Sequence, residues 1–313
     1  MWFIFLKNRL LVQIIFKLIL IGMKKTSKAF AVIELSIIMM VVGILLLNES
    51  SNNKLIRNVR ILSAQNVTRS SPINSMRGLV AWFETSLESS FQINERFDQK
   101  NISIWVDNNP YSSFKKNFIQ LQKPNSKPRY IENGINGIPA LKFDGTDDYM
   151  AIPSIKFNSE NLTIFLVGKR TSYSHYQGSI SGFNLNNSDD LANGSLVAFY
   201  DQNSFTSIAS GTNYSNVKGI GDNNPYILGT IFNGKKNVTY INGNIGTNSK
   251  GNPVFDFNTI FVGARYNMNQ PDSFFNGHIG EIIIFNRALN SEERKSIEYY
   301  LARKFSIKLD YSL

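Results

Sequence analysis

A chain of 313 residues with 42% hydrophobic side chains is long enough for one large or two small domains around a sizeable core. It contains no cysteine, which excludes disulfide staples and thiolate metal sites and leaves packing, with at most an oxygen-bound ion, to hold the fold. The formal net charge of +10 raises nucleic acid as a partner, but the lysines and arginines are scattered and form no basic stripe interleaved with aromatics, so nucleic-acid binding is not expected.

Residues 1–22 are apolar with Lys7, Arg9 and Lys17 interspersed. They read as targeting material, or as a coding start set too early with Met23 as the true start, and together with 23–29 form a leader that is no part of the fold. Phe30 to Leu47 is apolar except for Glu34, Ser36 and Gly43. As a helix rising about 1.5 Å per residue it spans roughly 27 Å, close to a hydrocarbon core of about 30 Å. Lys24, Lys25 and Lys28 precede it and no basic residue follows until Lys54. The positive-inside bias therefore predicts a single pass with the C-terminal part exported. Glu34 is costly inside such a helix, by about 2.5–3.5 kcal/mol if central, and calls for a partner or for water near the interface.

Leu55, Val59 and Leu62 recur at i, i+4 and i+7, so the anchor helix is expected to continue and to occupy 30–64. Residues 65–76 are polar and turn-rich and read as a linker. From 77 to 308 short β-type runs alternate with Gly, Asn, Asp and Pro. They include Leu79–Phe83, Ile102–Val106, Ala140–Phe143, Leu162–Val167, Leu196–Tyr200, Tyr226–Phe232, Thr259–Val262 and Glu281–Phe285. This spacing predicts a mainly β, antiparallel sandwich. Val238–Ile241 ends at Asn242-Gly243, a strong hairpin signal. One helix closes the domain: Asn290 or Ser291 caps it, Glu292 and Glu293 fill its first turn, and Ile297, Tyr300, Leu301 and Phe305 form its apolar stripe. Residues 309–313 are a tail.

Enzymatic motifs fail on inspection. Gly229–Lys236 imitates a phosphate loop but has Lys where Ser or Thr should hold magnesium, and it lies between two strands. His175 and His278 each lack a second ligand at metal spacing. Glycoside hydrolysis needs two carboxylates about 5–9.5 Å apart, which on one strand face would appear as alternating acids; no such pattern occurs, and the chain is expected not to be an enzyme. Asp144, Asp147 and Asp148 cluster in one loop, where Asp suits a turn and where calcium, which takes six to eight oxygens, is the ion such carboxylates would hold. Asp107 and the Asp189-Asp190 pair are weaker candidates of the same kind. Tyr173, Tyr176, Tyr200, Tyr214 and Tyr266 lie in or near expected loops and are the candidates for stacking on sugar rings. Trp82 and Trp105 sit inside apolar runs and are expected in the core.

Two resemblances extend this reading. The pattern Lys24-Lys25, a polar stretch, Ala29, Phe30, three apolar residues, Glu34, Leu35 and a long apolar run resembles the N-terminus of type IV prepilins. It implies cleavage between Ala29 and Phe30 by a prepilin peptidase, methylation of the new amine, and pairing of Glu34 with the amine of a neighbouring pilin-like subunit. The family prefers Gly where Ala29 stands, which puts efficient processing in question. Further on, Gly78–Trp82, Asn136–Gly145, Tyr240–Gly243 and Gly277–Arg294 resemble, in that order, concanavalin A-like, laminin-G-like domains. This implies a jelly-roll sandwich serving as a binding or adhesive module for a glycan or a surface protein, with calcium in some members. Together they imply an inner-membrane-anchored, exported protein of a pilus or pseudopilus type. The alternatives are a signal-anchored surface lectin that never enters a fibre and, more remotely, a glycoside hydrolase.

Overall fold

The computed structural model describes residues 55–120, 123–173, 176–201, 204–211, 213–251 and 254–311. The leader, the expected anchor with Ala29, Phe30 and Glu34, and His175 lie outside these. Among the described residues no helix is long and apolar enough to cross a membrane. The chain divides into two compact units, Met1–Val59 and Arg60–Leu313, and the second carries the sandwich.

Residues 55–69 are helical (α1). The helix therefore runs into the stretch expected to be a linker, because Ala64, Gln65 and Thr68 are buried there. The Gln65 amide donates to the Ser86 carbonyl at 2.9 Å. The stripe of Leu55, Val59 and Leu62 is helical as predicted, yet each of the three is more than half exposed. A short 3-10 turn, Pro72–Ser75, follows, capped by the Ser71 hydroxyl, which accepts from Ile73 N.

The strands, in chain order, are β1 (Leu79–Glu84), β2 (Ile104–Trp105), β3 (Phe118–Ile119), β4 (Arg129–Ile135), β5 (Ile138–Asp144), β6 (Met150–Ile152), β7 (Phe157–Ser159), β8 (Asn161–Arg170), β9 (Gln177–Phe183) and β10 (Leu196–Tyr200). They continue with β11 (Ser204–Ala209), β12 (Asn213–Lys218), β13 (Pro225–Asn233), β14 (Lys236–Ile241), β15 (Asn244–Lys250), β16 (Phe255–Phe257), β17 (Thr259–Val262), β18 (Arg265–Asn267), β19 (Gln270–Asp272) and β20 (Asn276–Phe285). Helix α2 (Ser291–Phe305) closes the domain.

Two sheets account for most of these strands. The first runs β15-β14-β13-β8-β20-β5-β4, with β1 also paired to β20; the second runs β12-β11-β10-β9-β17-β6-β3-β2. Neighbours in both are antiparallel, as the turn-punctuated sequence predicts. Between the sheets lies a core that includes Phe83, Trp105, Phe143, Leu166, Ile282 and Ile284. A second core, with Trp82, Phe165, Ile283, Phe285, Ile297, Leu301 and Phe305, joins the outer face of the first sheet to the helices. Strand β20 shows why: alternate side chains leave a strand on opposite faces, so Ile282 and Ile284 enter the sandwich while Ile283 and Phe285 meet α2. Trp82 and Trp105 are buried, as expected. The Asn242-Gly243 hairpin forms with φ of 49° and 86°, the doubly positive geometry of a type I′ turn.

Asn290 caps α2: its side chain accepts from Glu292 N and Glu293 N, and the Glu293 carboxylate accepts from Asn290 N. Its inner face also carries a charge into the core. The Lys304 ammonium lies 2.8 Å from both Glu84 and Glu281, and all three side chains are fully buried. Glu84 and Glu281 are direct partners across β1 and β20. The Trp82 indole N–H and the Tyr300 hydroxyl donate to Glu281, while Glu84 accepts from Ser86 N, Leu87 N and the Ser86 and Ser90 hydroxyls. Burial opposes the Lys304 charge, but the two carboxylates outweigh it and hold the ammonium pKa above its ordinary value. Removing one partner of a buried ion pair costs about 3–5 kcal/mol, because the other charge is left uncompensated. Lys304→Met is expected to lower the urea-unfolding free energy by about that amount, and Glu281→Gln, which leaves one balanced pair, by clearly less.

Candidate ligand-binding rim

The loops at one end of the sandwich bring together two of the features singled out in the sequence. The first is the turn after β5. Asp144 Oδ1 accepts from Thr146 N at 2.8 Å and, at longer range, from Asp147 N and Asp148 N at 3.2 and 3.4 Å. Asp148 Oδ2 accepts from Asp144 N at 3.0 Å, and Asp147 Oδ2 accepts from the Ser126 hydroxyl at 2.8 Å. Gly145 adopts a φ of +81°, which a side chain would resist. The turn explanation of these aspartates is thus met, yet the arrangement has a further consequence. One carboxylate oxygen from each of the three lies within 4.8 Å of the others. Burial, followed by the neighbouring Asp144 charge, pushes the Asp148 carboxyl up to about 7. Three clustered carboxylates with one held near neutrality are chemically suited to a hard cation such as calcium, with backbone carbonyls and water completing its shell.

The second feature is the loop from β8 to β9. Tyr176 is 43% exposed and packs edge-on against Phe199 at 5.6 Å. The Arg170 guanidinium lies 5.3 Å from the Tyr173 ring and covers the Tyr200 ring at 4.3 Å. Arg170 is itself fixed by Asp222 at 2.6 Å and donates to the Asp201 carbonyl. Asn276 joins loop to turn. It is the cross-strand partner of Asp144, its amide donates to the Ser172 hydroxyl at 3.0 Å, and its carbonyl accepts from Thr171 N.

The remaining tyrosines are placed differently. Tyr200 is fully buried, and its face is taken by Arg170, so it cannot offer that face to a sugar; burial also pushes its hydroxyl up to about 12. Tyr266 is buried and stacks on Phe183 with centroids 3.9 Å apart. Tyr214 is 46% exposed on β12, opposite Ile208. The weaker acidic candidates are structural. Asp107 accepts from the backbone N–H groups of Trp82, Asn109 and Lys116. Asp190 is held by Arg265 at 2.7 Å and by the Ser181 hydroxyl and Tyr266 N. Sequence reading missed Arg170, whose only signal is a Lys-Arg pair at the end of an apolar run. It also missed Glu84 and Glu281, a carboxylate pair that only strand pairing creates. That pair sits beneath α2, bonded to a lysine and closed to solvent, so it offers no surface on which a substrate could be cleaved.

Residues 144–293 match the laminin-G family model of the concanavalin A-like lectin/glucanases superfamily. No curated protein matches the sequence. Among solved structures, Trypanosoma rangeli sialidase superposes with a TM-score of 0.50 at 15% identity, over 75% of this chain and 34% of the sialidase. The same enzyme in complex with sialic acid gives 0.50 at 14% identity over the same shares. Domain 4 of an extracellular arabinanase from Geobacillus stearothermophilus, in complex with arabinotriose, gives 0.48 at 15% identity over 71% of this chain and 97% of that domain. The chain spans about a third of the length of the sialidase, and at these identities the likeness concerns the fold.

The acidic turn predicts a pH dependence. Asp148 rises from 3.8 to about 7 on folding, so the folded state binds its proton more tightly than the unfolded chain does. Its contribution to stability is therefore greatest below about 4 and declines as pH rises through about 7. Asp148→Asn keeps an acceptor for Asp144 N and removes the titration. The variant is expected to flatten the fall in Tm between these pH values, measured in a calcium-free buffer.

Proposed function

We propose that this protein is an exported, membrane-anchored, carbohydrate-binding protein of pilin-like build, with the laminin-G-like sandwich as its binding head. The observation that carries the binding reading is the meeting of the acidic turn and the Tyr173–Tyr176 loop at one rim, tied by Asn276. An exposed ring on a loop tied to a cluster able to hold a cation suits a hydroxyl-rich ligand, since the ring stacks on an apolar sugar face and the cation takes sugar oxygens. The shared fold with a sialidase solved with sialic acid makes glycans the first ligand class to test. In this reading calcium sits at Asp144, Asp147 and Asp148, and the protein binds without cleaving; the Glu84–Glu281 pair is buried against Lys304 and out of a substrate's reach.

The pilin-like part rests on residues 24–47. Cleavage after Ala29, a methylated Phe30 and Glu34 as the assembly carboxylate would place the protein in the inner membrane, with prepilin peptidase and pilin-like subunits as partners and the head in the periplasm or outside the cell. Ala29 in place of Gly favours a second reading, an uncleaved, signal-anchored surface lectin.

Three measurements test these points. Mass spectrometry of the protein purified from membranes is expected to find a mature N-terminus at methylated Phe30; a peptide starting at Met1 or Met23 would decide for the uncleaved lectin. On glycan arrays the full-length protein should bind a defined glycan set, and Tyr176→Ala should weaken that binding by up to about tenfold, the equivalent of one lost aromatic contact. Calcium should raise Tm in the wild type and not in Asp144→Asn/Asp147→Asn, since an ion bound only by the folded state adds stability.

A further inference from the structure

Four basic residues stand in one row across the outer face of the first sheet. Arg129 on β4 is the direct partner of Lys142 on β5, Lys142 that of His278 on β20, and His278 that of Lys169 on β8. Directly paired residues of an antiparallel ladder project to the same face. The four side chains therefore follow one another at the strand spacing of about 4.8 Å, over roughly 14 Å. Lys142 is two residues from Ala140, which contributes to the core beneath α2, so the row lies on the helix side of the sheet. Helix α2 ends short of it: the Phe305 ring packs over Gly280, and His278 lies beyond.

Like charges placed directly opposite one another oppose folding; Arg129 has the Asp148 carboxyl near enough to act on it, and the rest of the row is less relieved. Arg129 and Lys142 form no ion pair among the described residues. The Lys169 ammonium donates to the neutral carbonyl of Gly134. The His278 Nδ1 atom is buried without a hydrogen-bond partner. Burial, with Lys169 and Lys142 beside it, holds the imidazole down to about 4. The acid next along β5 on the same face, Asp144, has Oδ1 engaged by the backbone of its own turn. The row also leads to the rim, since Lys142 is two residues from Asp144, and His278 is two residues from Asn276, the partner of Asp144.

We propose that this row is a subsite for an acidic polysaccharide, whose anionic groups lie along Arg129, Lys142 and Lys169 while the chain continues to the rim. The proposal rests on the carbohydrate reading above and adds the charge class of the ligand. A polymer with regularly repeated carboxylate or sulfate groups matches cations repeated at strand spacing. Nucleic acid fits less well, because no aromatic side chain interrupts the row for bases to stack on. An anionic membrane fits less well too, because the row itself contains no large apolar side chain to enter one.

The test uses the full-length protein in detergent with polygalacturonate as the carboxylated probe, heparin as the sulfated one, and a neutral glycan positive on the array as control. Double-stranded DNA and phosphatidylglycerol vesicles are the competing polyanions. The wild type is expected to bind polygalacturonate or heparin with a steep salt dependence. Lys142→Gln/Lys169→Gln should lose at least tenfold in that affinity and flatten the salt dependence, with the neutral glycan affinity unchanged and Tm not lowered. Arg129→Gln, at an exposed position, should give a smaller loss in the same direction. Unchanged acidic-glycan binding in both variants, or no acidic-glycan binding by the wild type, overturns the subsite. So does binding of DNA or vesicles that is tighter and equally sensitive to the substitutions. In those cases neutral glycan binding lost in Tyr176→Ala would leave the carbohydrate reading standing, whereas an array blank for every glycan would remove both.

Discussion

The buried contact of Lys304 with Glu84 and Glu281 is the constraint on which the domain depends. It ties the last turn of α2 to β1 and β20, and through Tyr300 to the Thr68 hydroxyl on α1. Strand β20 lies between β8 and β5 in the first sheet, so displacing α2 would disturb the strand that organises that sheet. The three charges are compensated only while helix and strands keep their register. Buried pairs of this kind are weak sources of stability, but breaking them is expensive. Their consequence here is specificity: α2 has one position in which Lys304 meets both carboxylates.

With that face closed by α2, binding falls to what the helix leaves uncovered. The rim and the basic row occupy adjoining parts of the same region, because β5 and β20 carry both. Asp144 and Asn276 face each other at the end of the pair, and Lys142 and His278 face each other one same-face position inward. A ligand on the rim would therefore meet the row without crossing the helix. The second sheet's outer face is less open, since the Asp190–Arg265 ion pair and the Phe183–Tyr266 stack lie over it.

The polar residues separate into two kinds. Asp107, Asp190, Glu84 and Glu281 are buried with their oxygens occupied by backbone, hydroxyl or cationic donors, and each has a structural explanation. Asp148, His278 and Lys169 are different, because their surroundings disfavour the charged form. Asp148 is held close to neutrality by burial and, after it, by the charges of Asp144 and Asp147, and His278 is kept uncharged by burial between two lysines. Environments that a bound ion of the opposite sign would relieve are reasonable places to look for ligands.

Much of this protein was determined by local sequence. The Asn242-Gly243 hairpin, the Asn290–Glu293 capping box and the apolar stripe of α2 are short-range features. Turn conformation, orphan helix N–H groups and 3.6-residue periodicity act within a few residues, so they can be read without knowing the fold. Strands made of continuous apolar runs, such as β8 and β20, were legible for the same reason. Strand β9, Gln177–Phe183, was not. It is rich in Gly and Ser, yet it is buried throughout because neighbours cover both of its faces, and only the packed sandwich supplies that burial. The site divides in the same way. The Asp144–Asp148 turn is one continuous loop and was visible in the chain. Three things needed strand register and loop convergence across long sequence separations: the loss of Tyr200 and Tyr266 to the interior, the pairing of Glu84 with Glu281, and the alignment of Arg129, Lys142, His278 and Lys169. Charge and chemistry belong to the individual residues, but which of them share a face is decided by tertiary pairing alone.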